Sequence, residues 1–194
     1  MNYQKLEKLN KLYFTCQDVA NNFGINPRSA NVLCNRYVKN GSFVRLKRNF
    51  YILNEKWKTL TEKDLYFLAN ILQVPSYISL STALSYYQIT TQLQQNFVES
   101  IAINRTLKLD IDSQVFSYTK IKRKLYFGFV KLDNFFIATK EKAFLDAIYL
   151  VSFNKYELDF SAIDFAKLDK KIIKKLVKKY PLRTAVYLEK LWKS

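Results

Sequence analysis

The chain of 194 residues contains no histidine. That absence removes Ser-His-Asp and Cys-His nucleophile arrangements and the HExxH zinc motif together, because each needs an imidazole. Only two cysteines are present, Cys16 and Cys34. They are too few for a disulfide scaffold and, without histidine, for an ordinary four-ligand zinc site, so they are expected to be free thiols buried as small apolar side chains. Glycine and proline number three each, which excludes collagen-like and Pro/Gly-rich classes. Neither a GxGxxG nor a GxxxxGK[ST] phosphate-cradling loop occurs. No apolar run reaches the ~20 residues needed to cross a bilayer, and the opening MNYQKLEKLNKLYF lacks a signal-peptide core. The expectation is a cytoplasmic protein with no membrane partner and no cofactor.

Positive charge is what the chain has in excess. Lys and Arg total 32 against 16 Asp and Glu, a formal charge of +16, on a sequence that is 49% hydrophobic. The apolar content suffices for one domain or two small ones. Such a surplus of cations points to a polyanionic partner, since Lys and Arg that neutralise phosphates release condensed counterions; the alternative is a solvated, Lys-rich surface. Both ends carry the excess: nine Lys or Arg against three acids in the first 55 residues, and ten against two in the last 28.

The scarce glycines mark turns. Thr15 with Asp18 forms a capping pair that launches a helix to about Phe23, and Gly24-Ile25 turns the chain. Asn26 then caps a second helix with Pro27 at its first position, ended by Gly41. Val19, Ala20, Phe23, Ile25, Ala30, Leu33, Cys34, Tyr37 and Val38 supply one apolar stripe per helix, the spacing of a helix-turn-helix. The following SFVRLKRNFYIL alternates as two short strands about a basic tip at Lys47, Arg48 and Asn49, and Asn tolerates the left-handed conformation of such a tip. Helix-turn-helix plus basic hairpin is the pattern of a winged helix.

The fold class expected is mixed α/β (α+β), with a winged helix-turn-helix over residues 1–55 and a mixed α/β domain with C-terminal helices over residues 60–194. The boundary is placed between Leu53 and Thr61. Beyond it, Thr61 and Asp64 cap a helix to about Leu72, stopped by Val74-Pro75. A short helix is predicted over Ser79 to Tyr87, and strands over Phe97–Ile103, Val115–Ile121, Leu125–Val130 and Phe135–Ala138. Thr139 is predicted to cap an amphipathic helix to about Val151, followed by helices at Lys170–Tyr180 and Leu182–Trp192. The run KKIIKKLVKKY makes one apolar and one cationic stripe.

These strings resemble the AbiEi-type antitoxins, the winged-helix regulators paired with a nucleotidyltransferase toxin in type IV toxin-antitoxin, abortive-infection and phage-defence operons. FTCQDVANNFGINPRSANVLCNRYVKNGSFVRLKRNFYIL is similar to that family's N-terminal domain, with Asn49 where an Arg-Gly-x-Tyr wing has Gly. YISLSTALSYYQI and IATKEKAFLDAIYL are similar to two segments of its second domain, with Tyr87-Gln88 where many members have His-Gly. The resemblance implies a transcriptional repressor and antitoxin that binds double-stranded operator DNA, on inverted repeats upstream of its own operon. It also implies a cognate nucleotidyltransferase-type toxin that is counteracted without a stable complex.

Opposite the core stripe of the second helix lie Arg28, Ser29, Asn31, Asn35, Arg36 and Lys39. Arg to guanine and Asn to adenine are the pairings whose geometry discriminates bases, so Arg28, Asn31 and Asn35 are candidates for base readout. Arg36 and Lys39 lie where phosphate contact is expected, as do Arg45, Lys47 and Arg48 on the hairpin; Tyr51 is expected in the core. Glu141, Lys142 and Asp146 form a carboxylate-lysine cluster of the kind a metal-dependent nuclease would use, against a structural role on a buried helix. Besides DNA binding by a non-enzyme, two readings stand: an antitoxin acting by direct protein contact with its toxin, and a metal-dependent nuclease.

Overall fold

The structure is a computed structural model that describes residues 11–92 and 94–193. The first ten residues, part of the stretch considered as a leader, lie outside the described residues. The chain is mixed α/β and divides into two compact units, one ending at Leu65 and one beginning at Tyr66.

Unit 1 contains α1 (Cys16–Phe23), α2 (Pro27–Lys39), β1 (Phe43–Lys47), β2 (Phe50–Leu53) and α3 (Asn54–Trp57), and the unit division falls inside α4 (Glu62–Leu72). Thr15 closes a capping box with Asp18, and Gly24 ends α1 at φ +64°, with its N–H donated to the Ala20 carbonyl. Asn26 Oδ1 accepts the Ser29 N–H at 2.8 Å, and Pro27 occupies the first turn of α2, where no N–H is missed. β1 and β2 pair antiparallel, with a register shift between Arg45 and Lys47. Phe14 adds a third, single-residue rung: its N–H and C=O bond Tyr51 at 2.8 and 2.9 Å. The core is Phe14, Val19, Ala20, Ala30, Leu33, Cys34, Tyr37, Phe43 and Tyr51, with Phe23, Ile25 and Val38 packed at its margin. The polar stretch after Leu53, expected as the boundary, is instead helix α3, which packs on β1 and β2 and buries Trp57.

Unit 2 is built on a six-stranded mixed sheet of order β5-β6-β4-β3-β8-β7. Its strands are β3 (Ser76–Ile78), β4 (Phe97–Ala102), β5 (Leu107–Ile111), β6 (Gln114–Lys120), β7 (Phe129–Leu132) and β8 (Phe135–Ala138). β4 runs parallel to β6 and β3 to β8, and the other pairs are antiparallel. Its remaining helices are α5 (Leu80–Tyr86), α6 (Lys140–Ser152), α7 (Lys170–Val177) and α8 (Leu182–Leu191). The helix α6 packs against α5, α7 and α8, and Glu141 through Ile148 are buried without a break.

Several expectations are corrected. Leu125–Val130 is not one strand: Arg123–Leu125 is a 3-10 turn and β7 starts at Phe129. The break is at Gly128, whose φ is +72° and where a Cβ would lie 3.2 Å from the Lys142 side chain. Thr139 takes the cap position of α6 but its side chain makes no cap bond, whereas Asp169 caps α7 by accepting from Lys171 and Ile172. α7 ends at Val177, short of Tyr180.

Lys142 and Asp146 are ion-paired one turn apart in α6, both without exposure worth the name. The Asp146 carboxylate also accepts from the hydroxyls of Tyr77, Ser79 and Tyr180, each at 2.9 Å. Lys142 Nζ reaches the Tyr77 hydroxyl at 2.9 Å and faces the Phe127 ring at 5.0 Å. Burial lowers the Lys142 pKa against the pull of Asp146, and it drives both tyrosines well up. Removing one partner of such a pair strands the other's charge. Asp146→Ala is therefore expected to cost about 3–5 kcal/mol in urea unfolding, whereas Lys131→Ala on the surface stays within about 0.5 kcal/mol. Equal effects would contradict the assignment.

A second buried carboxylate gives a pH signature. Glu99 on β4 accepts from the Tyr156 hydroxyl at 2.9 Å and the Ser81 N–H at 3.1 Å. Burial nevertheless pushes it up to about 7, only partly offset by these bonds. The folded state holds this proton more tightly than the unfolded state, so its contribution is full below about 4.5 and is lost as pH rises through about 7. Chemical denaturation across that window is expected to show wild type losing stability relative to Glu99→Gln. Parallel pH curves would count against it.

Candidate nucleic-acid interface

The amphipathic pattern of α2 fixes which side chains face outward. Ala30, Leu33, Cys34 and Tyr37 are buried, which turns Arg28, Ser29, Asn31, Val32, Arg36 and Lys39 to solvent and leaves Asn35 half-buried. The first turn carries no acidic residue and the last turn carries Arg36 and Lys39. This outer face therefore bears cations and amides without a carboxylate among them.

The hairpin is tied to that helix through Arg45. Its Nη2 donates to Asn35 Oδ1 at 2.8 Å and to the Tyr51 hydroxyl at 3.3 Å, and the guanidinium lies 5.6 Å from the Tyr51 ring centroid. Burial raises the Tyr51 hydroxyl pKa, and Arg45 opposes that rise. Lys47 is half-buried, with Nζ 4.3 Å from the Phe50 ring centroid, and its burial lowers its pKa. Arg48 is exposed at the tip.

Asn49 completes the tip. Its φ is +64°, the left-handed turn that an asparagine accepts, and its Oδ1 takes the Cys16 N–H at 2.9 Å, anchoring the hairpin to the first turn of α1. The Cys16 thiol in turn faces Asn31 Oδ1 at 3.7 Å and the Tyr51 hydroxyl at 3.8 Å. Both cysteines are free, and burial, with Cys16 beside it, pushes Cys34 up to about 12, the signature of an unreactive core thiol.

Of the residues singled out by sequence, Asn35 and Arg45 are thus engaged with each other. A bidentate adenine contact needs the Asn oxygen as well as its amide hydrogens, so Asn35 would share that oxygen, with its two lone pairs, between Arg45 and the base. Asn31 is exposed and loses little to a weak thiol bond. Arg28, Lys39 and Arg48 are exposed and carry no ion pair among the described residues. Val32 was missed. It sits four residues from both Arg28 and Arg36, so helical spacing alone places it on the same outward stripe.

Among the described residues, no three of His, Cys, Asp and Glu come close enough to hold a metal ion. Glu141, Lys142 and Asp146 are buried in unit 2, with Glu141 accepting the Asp169 N–H at 3.3 Å. No helix among the described residues is long and apolar enough to cross a membrane. Comparison with protein-family models and with curated proteins gives no match.

Asn49 offers a direct check on how the tip is held. Asn49→Ala removes the bond to Cys16 and strains the left-handed turn, an expected loss of about 2 kcal/mol. Asn49→Gly loses only the bond, about 1 kcal/mol or less. Thermal or urea unfolding of the two variants measures the difference; an alanine variant as stable as the glycine variant would contradict the anchoring role.

Proposed function

We propose that unit 1 is a winged helix-turn-helix that reads double-stranded DNA, and that the protein is a transcriptional repressor and antitoxin of the AbiEi type, acting on its own operon. The observation that carries this reading is the acid-free outer face of α2 locked beside a basic hairpin by the Arg45–Asn35 bond. A helix of this kind suits the major groove, with Arg28 and Asn31 at its N-terminal end against base edges. Arg36, Lys39, Lys47 and Arg48 take phosphates or enter an adjacent minor groove, and Ser29 donates to a nearby phosphate. The +16 charge supplies capture from a distance.

The antitoxin part of the proposal draws on unit 2, where the two strings that carry the resemblance lie against one another. Tyr77 and Ser79 of the first bond Asp146 of the second. This favours a folding role for EKAFLD and gives no support to a nuclease, so no catalytic step and no cofactor are proposed. The partner is a nucleotidyltransferase-type toxin, counteracted without a stable complex. A second reading, antitoxicity by direct protein contact, is favoured by an apolar groove of about 390 Å3 in unit 2, lined by Phe67, Ile71, Val74, Tyr126, Phe129 and Phe136. Co-purification of the toxin encoded beside the gene would support that reading; clean separation with DNA binding retained would support the first.

The repressor proposal is tested by titrating the full chain with the duplex upstream of its own gene and with a scrambled duplex, over a salt series. Wild type is expected to prefer the native duplex by about 10³-fold or more. Arg28→Ala/Asn31→Ala is expected to lose most of that preference while its salt slope falls by no more than about one phosphate contact. Equal binding of both duplexes by wild type would overturn the proposal.

A further inference from the structure

Val32 stands 68% exposed on α2, midway between Arg28 and Arg36. A lone apolar side chain on a surface is ordinary. This one borders a groove of about 440 Å3 that also takes in Phe23, Ile25 and Leu33, and Arg28 and Arg36 flank it. The polar face of the helix is therefore interrupted by an apolar step with a guanidinium on each side. The two arginines are eight residues apart, about 12 Å along the helix axis.

Resting on the reading of α2 as the helix that enters the major groove, we propose that this groove receives the C5 methyl group of a thymine, and that Val32 is a specificity-determining residue. The chemistry leaves one candidate. A major groove presents donors, acceptors and a single kind of apolar group, the thymine methyl. Setting Val32 against a donor or acceptor would strip that group of water without replacing its hydrogen bond. Setting it against a methyl removes two apolar surfaces from water together. Arg28 at the base edges and Arg36 toward the backbone place positive charge on either side of the contacted base pair, so the groove's charge and its apolar floor suit one occupant. One methyl contact at about 0.8 kcal/mol corresponds to about a fourfold change in affinity.

The experiment uses the full chain, as wild type and as Val32→Ser, with the upstream duplex synthesised either with thymine or with uracil throughout, and the scrambled duplex as reference. Uracil lacks only the methyl. Wild type is expected to bind the uracil duplex about fourfold or more weakly. Val32→Ser, a surface change that leaves the core untouched, is expected to bind the two duplexes with the same affinity. If wild type prefers the upstream duplex over the scrambled one yet binds thymine and uracil forms alike, the assignment of Val32 fails while the DNA-reading role stands. It fails likewise if Val32→Ser keeps the wild-type thymine preference. If wild type does not distinguish upstream from scrambled duplex, both fall together.

Discussion

Tyr51 is where the parts of unit 1 are tied to one another. Its backbone forms a two-bond rung with Phe14, so the segment leading into α1 is held to the hairpin. Its ring lies in the aromatic cluster with Phe14 and Phe43, and Tyr37 of α2 packs on Phe43 at 4.8 Å. Its hydroxyl meets Arg45, which in turn holds Asn35 of α2. One residue of β2 thereby fixes the spacing between helix and hairpin. A side chain aimed at a base edge needs its backbone held to within a fraction of an ångström, and a packed aromatic cluster supplies that rigidity where a loop could not.

Unit 2 solves a different problem. α6 is buried on nearly every side, so its inward-facing pair Lys142 and Asp146 could not be left facing water. The structure satisfies them internally, with Asp146 gathering hydroxyls from β3, from the residue before α5, and from Tyr180 beyond α7. Such networks cost much of what they return in stability, and they hold few alternative partners. The strings YISLSTALSYYQI and IATKEKAFLDAIYL are thus two halves of one buried arrangement.

Local signals made unit 1 legible. Thr15, Gly24, Asn26 and Pro27 each imposed a cap or a turn that short-range chemistry dictates, and the structure places a helix boundary at every one; Gly41, at φ +78°, turns the chain just past the Asn40 cap of α2. Unit 2 was harder because some of its signals are not local. β3 is three residues long, too short for a pattern to show, whereas LKLDI in β5 alternates apolar and charged residues strictly, a local signal that the predicted strands omit. Both pair with neighbouring strands, β4 and β8 for β3 and β6 for β5. Gly128 broke a predicted strand for a reason found fourteen residues away, the Lys142 side chain. At the candidate interface, the outward residues of α2 followed from periodicity, but the Arg45–Asn35 bond did not, since a bond between a helix and a strand ten residues on depends on how the two elements pack. Asn49 could be read as a turn residue; its bond to Cys16 could not.

The central claim is that one face of unit 1 meets duplex DNA. The most direct test is to add the upstream duplex to isotope-labelled full-length protein and map amide shifts by NMR. The account expects the largest shifts at Arg28 to Arg36 and at Arg45 to Asn49, with the buried amides of α6 unmoved. Shifts confined to unit 2, or spread over lysines throughout the chain without a focus on α2, would contradict it.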